Sequence, residues 1–389
     1  MDFDLSADQQ ALREAAATLL ESRAGHEALR ARVGTGAVVG TLPGAGDAST
    51  SAGASAADAP RGYDAVVWDA MSEQGWLALE LPEDEGGLGL GLVEVAVLCE
   101  EVGRRLVAAP YLPSVVALGA LSEPEARADA GTKEWREALS QGSAVGCVVF
   151  APDGRLAVTP AAAEGEVRLD GAMPPALYVP SAAVAVVVTA DAVYAVDLEA
   201  VGHPEPVAAM DRTRELGVLA LDATPARRIG GADAAARTLD RAATLVSAEM
   251  LGAADHVLSM SVAYAKDRVQ FGKPIGSFQA VKHMLADALV DVEGMRSTVY
   301  YAAWCAAADD PDHALAASMA KAWCSDASRR VMGTGLQVHG GIGFTWEHDM
   351  HLYVKRAQLD QVSYGDASRH RDRIAHILRT RLESGSALS

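Results

Sequence analysis

The sequence predicts an α+β chain that is mainly α, with an N-terminal helical domain, a middle β-barrel-like domain and a C-terminal four-helix bundle. Three observations predict it. Apolar residues recur at helical spacing near the N-terminus, six short Val-rich runs fill the stretch between Ala144 and Ala223, and Ala/Leu/Met-rich amphipathic segments occupy the rest. This order excludes a Rossmann sheet, whose strands and helices alternate.

The helical domain is expected over 1–140. Ser6 and Gln9 have the spacing of a capping box, and Leu12, Ala15, Leu19 and Leu20 continue with helical period. From 34 to 62 the chain is rich in Gly, Ala and Ser, a composition too poor in large apolar side chains to offset its ordering entropy, so a flexible insertion is expected. Helical pattern returns at Tyr63–Gly75, the turn LPEDEGGLGLG follows, and a further helix is expected over Leu92–Arg105. The runs AVGCVVF, RLAVTP, GEVRLDG, AVAVVVTA, AVYAVDL and LGVLALDA imply a small antiparallel sandwich or barrel over 141–231. The bundle, over 232–389, is expected as helices at about 236–267, 276–308, 313–338 and 355–382.

The chain has 389 residues, and 33 Lys+Arg against 52 Asp+Glu leave a net charge of −19. No basic stripe for nucleic acid fits that balance. Any phosphate-bearing ligand must find its own local cations and backbone donors against a repulsive field. Cys99, Cys147, Cys305 and Cys324 form no CxxC pair, which argues against zinc, redox and disulfide frameworks. No signal-peptide pattern and no run of eighteen apolar residues occurs, so a cytoplasmic protein without a membrane span is expected.

Three superficial motifs fail. Gly86-Gly87-Leu88-Gly89-Leu90-Gly91 follows a Pro/acid turn where a dinucleotide fingerprint would follow a strand. Glu347, His348 and His351 lack the spacing of a zincin. Ser363 to Asp366 with His370 lack the strand–elbow–helix of a hydrolase. Two constellations are more specific: Arg268-Val-Gln-Phe-Gly-Lys-Pro-Ile-Gly-Ser-Phe-Gln279 between two long helices, and Gln337-Val-His-Gly340-Gly341-Ile-Gly-Phe344 at the end of a third. The first supplies an Arg for a pyrophosphate, an aromatic face and amide donors; the second lets a ligand approach the backbone closely.

On these segments, together with GWLALELPEDEGGLGLG and FTWEHDMHLYVKRA, nearly the whole chain resembles the acyl-CoA dehydrogenase family, flavoproteins that desaturate acyl-CoA thioesters between Cα and Cβ. The resemblance implies the three-domain family fold, an FAD cofactor, an acyl-CoA substrate, assembly as a dimer of dimers and electron-transfer flavoprotein as acceptor. It also implies that Arg268 binds the FAD pyrophosphate of a neighbouring subunit, that Phe271 packs on its adenosine part, and that Gln270, Gln279, Gln337, Gly340 and Gly341 complete the cradle.

The chemistry needs a base for the Cα proton while flavin N5 accepts the Cβ hydride, and a desolvated carboxylate suits it. Most relatives carry that Glu in a YEGT-like segment; here Val362-Ser-Tyr-Gly-Asp366 puts Tyr364 at the position, and a phenol is a poor acceptor near neutral pH. A minority carry it 29 residues before the Phe, and counting back from Phe271 reaches Ala242. After Val149-Phe150 no segment like the family's flavin-lining TEP…GSD occurs. The resemblance therefore implies a base-lacking subunit of an α2β2 enzyme, similar to actinobacterial subunits some of which act on steroid side-chain CoA esters. The alternatives are a self-sufficient homotetramer using Asp366 or Asp240 as base, and a non-catalytic structural subunit.

Overall fold

The computed structural model describes residues 5–34, 62–152, 154–161 and 165–385. Apart from its two end residues, the insertion expected at 34–62 lies outside them. Thirteen helices occur among the described residues: α1 Ala7–Ala24, α2 His26–Gly34, α3 Ala65–Glu73, α4 Leu92–Arg104, α5 Tyr111–Leu121, α6 Pro124–Ala128, α7 Lys133–Ser140, α8 Leu198–Val201, α9 Ala232–Asp267, α10 Gln279–Ala307, α11 His313–His339, α12 Met350–Val362 and α13 Ala367–Glu383. The strands are β1 Gly146–Phe150, β2 Ala157–Pro160, β3 Glu166–Ala172, β4 Ala176–Leu177, β5 Val184–Val188, β6 Ala192–Asp197, β7 Leu216–Gly217, β8 Ala220–Gly231, β9 Val269–Gln270 and β10 Lys273–Pro274. The chain divides into two compact units, one of residues 1–27, 79–107 and 239–389, the other of 28–78 and 108–238.

In the second unit a six-stranded sheet runs in the order β1-β5-β6-β8-β3-β2. All six expected runs contribute a strand, but the sheet is mixed: β1 and β5 pair in parallel, the other neighbours antiparallel. The reason lies in burial. β5 is apolar at every position and wholly buried, as a strand covered on both faces must be. On the β1 side, the Ser114 hydroxyl of α5 bonds both backbone groups of Gly146, and a Cβ on Gly146 would lie 2.8 Å from Ala117. Helix α5 was not expected. It is buried nearly all round, so it carries no amphipathic stripe to read.

In the first unit α10 packs on α11, α4 lies against α10 and α1 against α4, while α9 approaches α11 at Gly335. The Ser6–Gln9 capping box forms as expected. Helices α4 and α9 cross backbone to backbone at two glycines. A Cβ on Gly103 would fall 1.9 Å from the Glu249 carbonyl, and one on Gly252 would fall 1.8 Å from that of Glu100. A charged network seals the crossing. Glu100 accepts from Arg104, Arg296 and the Tyr300 hydroxyl, while Arg356 and Glu249, both wholly buried, pair at 2.6 Å. The fourth expected bundle helix, 355–382, is instead two helices. Tyr364 (φ 59°) and Gly365 (φ 97°) take the left-handed region and break it, and Asp366 then caps α13.

Candidate functional site

Helix α9 ends at Asp267 and the chain turns at once through the hairpin β9–β10, in which Gln270 faces Lys273 and Val269 faces Pro274. The two loop residues, Phe271 (φ 53°) and Gly272 (φ 78°), both have positive φ, as a type I′ hairpin turn requires. Glycine takes this conformation freely; a bulky aromatic does so only under strain. The strained ring is not buried for its trouble: Phe271 is 91% exposed. Its edge meets Phe278 at 6.2 Å, and Lys273 Nζ sits 4.4 Å above the Phe278 ring. The hairpin is tied at its base, where the Ile275 N–H donates to the Arg268 carbonyl at 2.8 Å.

Arg268 is exposed and makes no ion pair among the described residues, although the chain is strongly acidic. Gln270 is exposed and donates only to its neighbour's carbonyl, at 2.9 Å. Gln279 opens α10 behind Phe278, which has no side chain able to cap, so the first-turn N–H groups are left to an outside acceptor. Gln337 is exposed on the last turn of α11. Gly340 closes that helix with φ 63° and ψ −141°, a conformation closed to other residues, and a Cβ on Gly340 or Gly341 would meet nothing within 4 Å. The two segments are neighbours, because Tyr264, four residues before Arg268, stacks on His339 at 4.6 Å. An exposed cation, an exposed ring, uncapped amides and an open glycine turn thus fit an anionic nucleotide.

The base position is different. The Tyr364 hydroxyl is buried, and the Tyr364 carbonyl accepts from His370 Nε2 at 3.0 Å. Burial, helped by Lys321, Arg373 and Arg369, lowers the His370 pKa to about 4. Beneath, Lys321 is wholly buried and donates to Ser325 Oγ at 3.0 Å and to the Gln361 carbonyl at 2.9 Å; burial lowers its pKa to about 8. Asp366 is exposed and spends its carboxylate on the Arg369 N–H at 2.9 Å. Asp240 is buried and paired with Arg373, with His313 at 3.6 Å. Ala242 lies in the core. Each alternative base is therefore held in a structural contact. Residues the sequence reading passed over are Tyr264, His339 and Phe278. The available signal was their place beside or inside the two motifs.

Both ends of the chain carry family signatures: residues 230–378 match the acyl-CoA dehydrogenase C-terminal domain and residues 47–145 the N-terminal domain. The chain belongs to the acyl-CoA dehydrogenase family, FAD-dependent oxidoreductases acting on acyl-CoA. Among its relatives, acyl-CoA dehydrogenase IpdE2 of Mycobacterium tuberculosis is 36% identical over 90% of this chain and 91% of its own length. Acyl-CoA dehydrogenase FadE27 of the same organism is 34% identical over 81% of this chain and 88% of its own. Among solved structures, the ChsE4–ChsE5 complex from Mycobacterium tuberculosis superposes with a TM-score of 0.82 at 29% identity, covering 97% of this chain and 99% of the matched one. A point variant of the Tcur3481–Tcur3483 steroid ACAD gives 0.82 at 28%, covering 98% and 99%. Among the described residues no helix is long and apolar enough to cross a membrane, and no group of His, Cys, Asp and Glu could hold a metal ion.

Proposed function

We propose that this chain is the cofactor-gripping subunit of a heteromeric α2β2 acyl-CoA dehydrogenase, in which a homologous subunit supplies the catalytic Glu and the acyl-CoA site. The observation that carries the reading is the contrast within one unit: Arg268 and Phe271 project outward from a strained hairpin, while no carboxylate is free at either base position. Both relatives with TM-scores of 0.82 are named as pairs of chains, which supports a two-component assembly. In this reading Arg268 neutralises the pyrophosphate of an FAD lying mostly in the partner, Phe271 covers its adenosine part, and the N–H groups of Gln279 and its neighbours receive the phosphate charge. Gln270, Gln337, Gly340 and Gly341 line the approach.

The flavin, when bound, supplies the acceptor for the Cβ hydride. What this chain's residues do is orient and neutralise, and the Cα proton goes to the partner's carboxylate. The acceptor of the electrons is electron-transfer flavoprotein, by the same family reading. The substrate is a CoA thioester, with a steroid side-chain ester favoured by the steroid ACAD relative.

The test is expression of the chain alone and with its homologous partner. The pair is expected to be yellow and to bleach with thioester, the lone chain to be colourless and inert. A lone, homogeneous chain that binds stoichiometric FAD and oxidises an acyl-CoA overturns the reading.

A further inference from the structure

We infer that His339 is a positioning residue for the cofactor cradle, locking the end of α9 that carries the Arg268 hairpin to the Gly340–Gly341 turn; this rests on the cofactor reading above. His339 sits on the last turn of α11 and is only 4% exposed. Its Nδ1 lies 2.8 Å from the Gly335 carbonyl. A carbonyl only accepts, so Nδ1 carries the hydrogen, and the bond fixes the plane of the ring. In that plane the imidazole stacks on Tyr264 of α9 at 4.6 Å and 27°, and it meets His348, beyond the turn, at 4.6 Å and 54°. Three separate segments therefore converge on one ring.

Two glycines let them do so. A Cβ on Gly343 would lie 3.2 Å from the His339 Cβ, so the turn folds back onto the residue that precedes it. One helical turn below, a Cβ on Gly335 would fall 2.7 Å from Val257 of α9 and 2.8 Å from Met350 of α12, so α11 is drawn close against both. The arrangement is not the one stability alone would favour. His339 Nε2 is buried and has no hydrogen-bond partner among the described residues, a penalty that a hydrocarbon of equal volume would avoid. A flat ring with one fixed hydrogen bond is what leucine cannot provide: it sets the direction in which α9 ends, and so where Arg268 and Phe271 point.

The test compares H339L, which keeps the volume and loses the ring, with H339F, which restores the ring. In the complex purified through a tag on this chain, H339L is expected to weaken FAD binding about tenfold, the scale of lost ring contacts. In the free chain, hydrogen exchange over 264–279 is expected to accelerate about tenfold, without a fall in melting temperature. H339F, which restores the stack but not the Nδ1 hydrogen bond, is expected to recover part of each loss. Unchanged affinity and exchange in H339L, or no recovery in H339F, overturns the inference. If H339L does not fold, Tyr264→Leu removes the same stack from the α9 side and is read in the same way. R268A is run in parallel. Weak FAD binding in R268A with normal binding in H339L defeats only the role of His339, whereas normal binding in R268A defeats the cofactor reading itself.

Discussion

The hairpin after α9 and the loop before α13 use the same backbone device to opposite ends. Each places an aromatic and a glycine in consecutive left-handed conformations: Phe271 and Gly272 at φ 53° and 78°, Tyr364 and Gly365 at 59° and 97°. In the hairpin the aromatic is thrown outward and space around Gly272 is open. In the loop the aromatic hydroxyl is buried, His370 grips the carbonyl, and a Cβ on Gly365 would lie 3.1 Å from both Arg369 Cδ and His370 Nε2. Local strain is therefore not itself a mark of a working site. What separates the two is whether another element holds the strained backbone in place, as His370 does in the loop. The loop's backbone is held by His370, whereas the hairpin's aromatic ring stands out in solvent.

Four experiments break or sharpen that contrast. The largest effect is expected from the loop's histidine. His370 has a folded pKa of about 4, below its unfolded value of 6.5, so its contribution to stability is full above the unfolded value and is lost as pH falls toward the folded one. Denaturant titrations should show a loss of roughly 3 kcal/mol across that window, flattened in His370→Asn. No flattening would mean that the loop is not pinned by this residue.

Next, R268A should reduce FAD affinity of the complex by about 30- to 100-fold while leaving the chain's stability unchanged, since a charge-assisted contact to phosphate contributes about 2–3 kcal/mol. Fluorescence titration with FAD reads it, and a simultaneous drop in melting temperature would count against an unengaged side chain. The third comparison sets two glycines side by side. G365A should destabilise by about 1–3 kcal/mol and G272A by no more than about 1 kcal/mol, because both are strained by φ but only the first also meets neighbouring atoms. Equal losses in urea melts would erase the distinction. Smallest is Phe271→Gly. It should stabilise the free chain by about 0.5–1 kcal/mol through relief of the turn, and still weaken FAD binding. A destabilised F271G would show that the ring packs within the chain.

The loop and the hairpin also differ in how far they could be read. The turns at 272–276 and 340–343 were legible because turn chemistry is local and glycines mark it, whereas the roles of Arg268, Phe271, Gln279 and Gln337 come with the family resemblance alone. The break at Tyr364 was not, since a continuous helical period runs over 355–382 and only burial of the tyrosine hydroxyl and the His370 contact favour the left-handed turn. Asp240 is the sharpest case. Nothing near it in sequence names Arg373, which lies on another helix and takes its charge.

By itself, then, the sequence determined the succession of helical, β and helical segments, the absence of a carboxylate at 364 and 242, and the two motifs expected to form a cradle, for these depend on periodicity, residue type and short spacing. Tertiary structure alone decided that β1 and β5 run parallel, that helix α5 is buried, that Asp240 is held by Arg373, and that Tyr264 reaches His339. Those outcomes turn on which distant surfaces bury each other, and the free energy of such burial is assigned only when the chain closes on itself.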